Sequence, residues 1–207
     1  GLNDFTLTAA DTIEFGDSFT DIAGNAAFTA SEIRVNASSP VSIETGGWQT
    51  WDGDVVLQET DLSVTAEWAE FTGTIDSDGP MHASELSIDV DGELRMLGSI
   101  GATGALGAID LSADLITLGG TEINAYGDIL LNGDGHAEFG EAATIVGLAD
   151  SLSITSFMGN ILLGQNEVFT QLGDLSMEST GLVRIGDVNT LGDFSVTAPN
   201  IEIMSRE

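Results

Sequence analysis

The residues best suited to chemistry are aspartates beside glycine. "WDGD" holds Asp52 and Asp54, "DSDG" holds Asp76 and Asp78, "DVDG" holds Asp89 and Asp91, and "DGH" sets Asp134 before His136. Two carboxylates separated by one residue and followed by glycine supply part of a calcium shell, which needs about six to eight oxygens. Asp76, Asp78, Asp89 and Asp91 are therefore the candidate calcium ligands. No glutamate follows in the frame an EF-hand loop requires, and the glycine-rich calcium nonapeptide is absent. Asp-Gly is also a standard turn former, and corner turns are the first expectation for these acids, with calcium second and no cofactor required.

Other chemistry is thinner. His82 and His136 are far apart and lack H-E-x-x-H spacing, so both read as solvated corner residues. No serine sits in G-x-S-x-G. With no cysteine, thiolate catalysis, Cys-ligated metals and disulfides are excluded. An exported chain of this kind is held by packing and hydrogen bonds alone. Trp48, Trp51 and Trp68 lie close together with Phe71 nearby, and are the candidate ligand-binding residues. Exposed aromatics stack on sugar rings or anchor a partner, whereas the alternative is a satellite core packed over the side of the fold, which ranks first.

Charge narrows the partners. The chain carries 34 acidic residues and 4 basic ones, all arginine, for a formal net charge of -30. Such a surface repels phosphate backbones, so nucleic acid and anionic membrane are poor partners, and cations, basic partners or high salt suit it better. The hydrophobic share of 42% separates it from disordered acidic chains. No apolar run reaches membrane-span length, and no charged-then-apolar leader is present.

The elements that must position these residues are strands. "FTLTA", "LSIDV", "LSITS" and "FSVTA" alternate apolar and polar residues between Gly, Asp and Asn, the signature of short half-buried strands. The alternation also repeats. An alternating strand, a corner and a second φ-x-φ segment often closed by glycine recur nine times, as in "FTLTAADTIEFG", "LSIDVDGELRMLG", "ILLNGDGHAEFG" and "FSVTAPNIEI". Anchoring the copies on Leu7, Phe28, Leu57, Ile88, Leu111, Leu131, Ile154, Met177 and Val196 gives spacings of 19 to 31 residues. The period predicts an all-β fold, a parallel β-solenoid of about nine coils over residues 1–207 as a single domain, with enlarged coils at 36–84. Right-handed winding is the default for parallel connections. A β-sandwich also has many short strands, but it gives no reason for one template to recur nine times.

Each coil buries one residue in two and leaves its backbone to pair with the coils above and below. Inward positions include Ile13, Phe15, Leu86, Ile88, Leu152, Ile154, Ala137, Phe139, Phe194, Val196, Ile201 and Ile203. The outward residue of the second strand reads Glu14, Arg34, Ser63, Arg95, Thr117, Glu138, Leu162, Arg184 and Glu202, which predicts a single column holding three of the four arginines beside acids. An outward Thr/Ser face of the ice-binding kind is interrupted by Val56, Asp89, Asp110, Leu130 and Glu178.

"AIDLSADLITLGGTEINAYGDILLNG" and "LGDLSMESTGLVRIGDVNTLGDFSVTAPNIEI" resemble the repeats of filamentous haemagglutinin-type exoproteins, large secreted bacterial adhesins with right-handed parallel β-helical shafts. The resemblance covers residues 84 to 203 well and the first 80 more loosely. It implies an extracellular or cell-surface role as structural or adhesive shaft, with glycans or cell surfaces as partners. No amphipathic helix covers either end, so the expectation is head-to-tail self-association or continuation into the neighbouring coils of a longer chain. A polysaccharide-binding or polysaccharide-degrading β-helix is the alternative, with the enzyme ranked well behind because basic groups are so scarce.

Overall fold

The computed structural model describes residues 3–78, 84–132, 144–147, 151–163, 168–171 and 173–204. Among them there is no helix, and every strand pairing is parallel. Parallel neighbours with no helical crossover leave a solenoid as the only arrangement, so the sandwich is excluded.

Each coil contributes to three faces rather than two, one coil entering the second face only through the isolated bridge at Ile100. The first face stacks Phe5–Thr8, the first half of Ala26–Val35, the first half of Trp48–Leu57, Trp68–Phe71, Glu93–Met96, Leu115–Leu118, Thr144–Gly147, Val168–Gln171 and Asp187–Thr190. The second face begins at Thr12–Phe15, passes through Ile75–Ser77 and Glu122–Ala125, and ends at Phe194–Thr197. The third runs from Phe19–Ile22 through Leu86–Val90 and Ile129–Asn132 to Asn200–Ile203. Each face is nine rungs deep.

The second face shows why the stack holds. Ile13, Ile33, Val55, Ile75, Ile100, Ile123, Ile154, Met177 and Val196 pair in unbroken register from coil to coil. β-branched side chains at most of these positions suit the pleated surface. Full burial of each is worth about 1.5–3 kcal/mol. From Ile13 to Ile185 the inward residues of all three faces merge into one core.

Corners are set by glycine. Gly53, Gly73, Gly98 and Gly120 stack between the first and second faces, and a Cβ on Gly98 would lie 2.1 Å from the Gly73 carbonyl oxygen. Coils cannot approach to the spacing of parallel strands there unless the corner lacks a side chain. This is the physical basis of the glycine that closes so many φ-x-φ segments.

Three expectations are corrected. The coils at 36–84 are not enlarged: Phe28 pairs with Trp51, Trp51 with Phe71 and Phe71 with Met96, at steps of 23, 20 and 25 residues. The long step falls between Leu118 and Gly147, 29 residues apart. The three arginines do not share a column either: Arg34 lies on the second face, Arg95 on the first and Arg184 on the third. A two-strand template laid on a three-strand coil slips from face to face, because each face carries the same φ-x-φ pattern. Finally, Phe194, Ile201 and Ile203 are exposed although they continue buried columns, because among the described residues no rung lies over them. Ala137, Phe139, Glu138, His82, Asp134 and His136 lie outside the described residues.

Candidate binding recess and the corner acids

The four candidate calcium aspartates do not converge. Asp76 Oδ1 accepts the backbone N–H groups of Thr103 and Gly104 at 2.8 and 3.2 Å, holding the corner of the next coil. Asp78 accepts from the Gln58 side-chain amide at 3.0 Å. Asp89 and Asp91 follow each other at the end of a third-face strand, where Asp89 pairs in register with Ser112. Among the described residues no three His, Asp or Glu side chains are grouped so as to hold a metal ion.

The work of the acids is seen at the corners. Asp4 accepts the Asn25 N–H at 2.9 Å, and Asn25 in turn accepts the Trp48 N–H at 3.1 Å. Asp54 accepts from Thr74, Asp61 from Glu85, Asp128 from Asn160, Asn160 from Leu182 and Asp174 from Asp193, at 2.7 to 2.9 Å. Corner backbone has left the strand ladder and would otherwise depend on water. A carboxylate acceptor makes these bonds short and strong. The turn-former reading of Asp and Asn is therefore carried further: they bind the following coil as well as turning their own.

Ion pairs follow the same inter-coil logic. Arg95 bonds Glu70 of the preceding rung at 2.6 Å, and Arg184 bonds Glu202 of the following one at 2.8 Å. Arg34 faces Glu14 in register but pairs with Glu32 on its own strand, and that hydrogen bond and charge raise its pKa. Exposed pairs of this kind are worth about 0–1 kcal/mol each. On the third face Asp110 is pushed above the ordinary aspartate range, first by burial and then by the charge of Asp89.

The three tryptophans divide. Trp51 is fully buried, stacked on Phe71 with ring centroids 5.3 Å apart at 17° and packed against Phe28 at 4.7 Å. Its indole N–H donates to Gln49 Oε1 at 3.1 Å. Buried Gln49 in turn donates to the Ile43 and Thr65 carbonyls, both at 3.1 Å. Trp51 is thus removed from the candidate ligand residues; it belongs to the core. Trp48 and Trp68 lie on the outer side of the first face, paired in register, with rings 6.1 Å apart at 72°. With Glu67 and Gly92 they line an open, mostly apolar recess of about 380 Å³.

A signal for this division was present in the sequence. Trp48 and Trp51 are three residues apart, as are Trp68 and Phe71, and an odd spacing on a strand sends side chains to opposite sides. Gln49 gave no comparable signal, since a polar residue at an inward position reads as a break in the pattern.

No family model, curated protein or solved structure matches the chain. No helix among the described residues is long and apolar enough to cross a membrane.

Proposed function

We propose that the chain is rod material of an extracellular or cell-surface fibre, stacking head to tail or joined to the neighbouring coils of a longer chain, with an adhesive role of the kind the haemagglutinin-type resemblance implies. The observation that carries this reading is the last described rung. Phe194, Ile201 and Ile203 continue the columns of Leu175, Val183 and Ile185, yet they are exposed where their partners are buried, and Leu191 beside them is 81% exposed. A parallel strand laid on that rung would cover the apolar residues and pair the open backbone edge at once. The mechanism is mechanical: stacked backbone hydrogen bonds, an apolar column and corner clamps all resist extension along the axis.

The acidic skin sets the condition. At a net charge of -30, copies repel one another, so stacking is expected to rise with salt and with divalent cations. Electron microscopy and light scattering over a dilution series, with and without sodium chloride and calcium, test this directly. Rods that lengthen by about 40 Å per copy, nine rungs at roughly 4.8 Å, are the expected result. A monomer at every concentration and salt level removes self-stacking. A polysaccharide-binding or polysaccharide-degrading role is the second reading, favoured by the exposed Trp48 and half-buried Trp68 on the outer side of one face. Failure of neutral and acidic polysaccharides to bind or to release reducing ends retires it.

A further inference from the structure

We infer that the recess between Trp48 and Trp68 is a binding site for an organic cation, of which a quaternary ammonium group such as that of choline is the best fit. Two observations select this ligand over a sugar. The rings stand at 72° rather than coplanar, so they form two walls of a corner instead of one flat platform. A compact cation in such a corner meets a ring face on each wall within about 6 Å, where the quadrupole of tryptophan attracts positive charge most strongly among the aromatic side chains. A pyranose would need a flat face and several directed hydrogen-bond partners, and among the described residues the only ionisable group lining the recess is the carboxylate of Glu67.

Glu67 supplies the matching charge. It is exposed, occupies the bend between the strands Leu62–Ala66 and Trp68–Phe71 directly before Trp68, and among the described residues its carboxylate has no ion-pair partner. Gly92 keeps the site open. Its N–H donates to the Glu67 carbonyl at 2.8 Å, so it sits directly over Glu67 on the next rung and has no side chain to cover the recess. The field of the whole chain, 34 acids against 4 arginines, raises the local concentration of any cation and disfavours an anionic ligand. Trp51 takes no part, being sealed in the core. The inference does not rest on the rod reading: a monomer would carry the same recess.

The test is titration calorimetry of the chain with tetramethylammonium and with choline at constant ionic strength, beside 3,3-dimethyl-1-butanol, a neutral isostere of choline. Saturable binding of both cations and none of the isostere is expected. Trp48→Leu and Trp68→Leu should each weaken binding about tenfold. Glu67→Gln, an exposed change that cannot endanger the fold, should weaken it about fivefold. Glu178→Gln, an exposed acid elsewhere on the stack, should leave it unchanged. Phosphatidylcholine vesicles form a second arm: co-sedimentation that Glu67→Gln abolishes assigns the cation to a lipid headgroup, and binding of choline alone assigns it to a free ligand. Equal binding of the neutral isostere, equal loss in Glu178→Gln, or no cation binding at all overturns the inference.

Discussion

The first four coils and the last one are written in the same alternation, yet they solve opposite problems. Between the early rungs the core is aromatic: Phe5 and Phe15 both meet Phe28, which meets Trp51, which stacks on Phe71, with centroid distances of 4.7 to 6.1 Å. From Leu94 onward the core is mainly aliphatic, and on the third face it opens to solvent at Ile201 and Ile203. The difference teaches that the pattern of a coil fixes which side chains point inward, whereas burial is conferred by the neighbouring rung. Sequence periodicity within a coil therefore says nothing about which rungs are covered.

Substitutions graded along the stack sharpen this contrast. Trp51→Ala removes the largest fully buried side chain and leaves Gln49 Oε1 without its donor. It should cost about 3–5 kcal/mol, read as a fall in the midpoint of denaturant unfolding. Asp128→Ala deletes an acceptor that takes both the backbone N–H and the side-chain amide of Asn160. A loss of about 1–2 kcal/mol is expected by the same measurement. Ile203→Ala, at the open end, should change stability by less than about 0.5 kcal/mol. A loss as large as that of a buried isoleucine in the second-face column would break the comparison.

Asp110 offers a pH-dependent test between those extremes. Its carboxyl has a raised pKa in the folded chain, so folding favours its protonated form and the ionised form opposes the fold. Stability from this group is thus fully present below the unfolded aspartate value and is lost as pH rises through the folded one. Asp110→Asn should raise the thermal midpoint modestly at neutral pH, and the gain should vanish in acid. Calorimetry at both pH values checks the sign.

The architecture was legible because alternation with a period of two and corners rich in Gly, Asp and Asn are local signals. What escaped was non-local. Phe28, Leu57 and Ile88 occupy equivalent positions in a two-strand template but sit on the first, second and third faces, and nothing in φ-x-φ distinguishes one face from another. The pair Glu14 and Arg34 was correctly placed on adjacent rungs, yet Arg34 turns to Glu32 on its own strand, a choice between acids that register alone does not make. The recess was partly legible, since Trp48 and Trp68 were singled out, but their separation from Trp51 required parity to be read residue by residue.

The corner clamps have one more consequence. Wherever an Asp or Asn oxygen of one described coil accepts a backbone N–H of another, the acceptor belongs to the earlier coil and the donor to the later one. The stack therefore has a built-in direction, like an arrow, and its two ends are chemically unlike. Two such rods meeting tip to tip would oppose like groups, whereas tip to base would continue the series. Any fibre grown from this chain would inherit that vector, with subunits all facing one way and with a growing end distinguishable from its root.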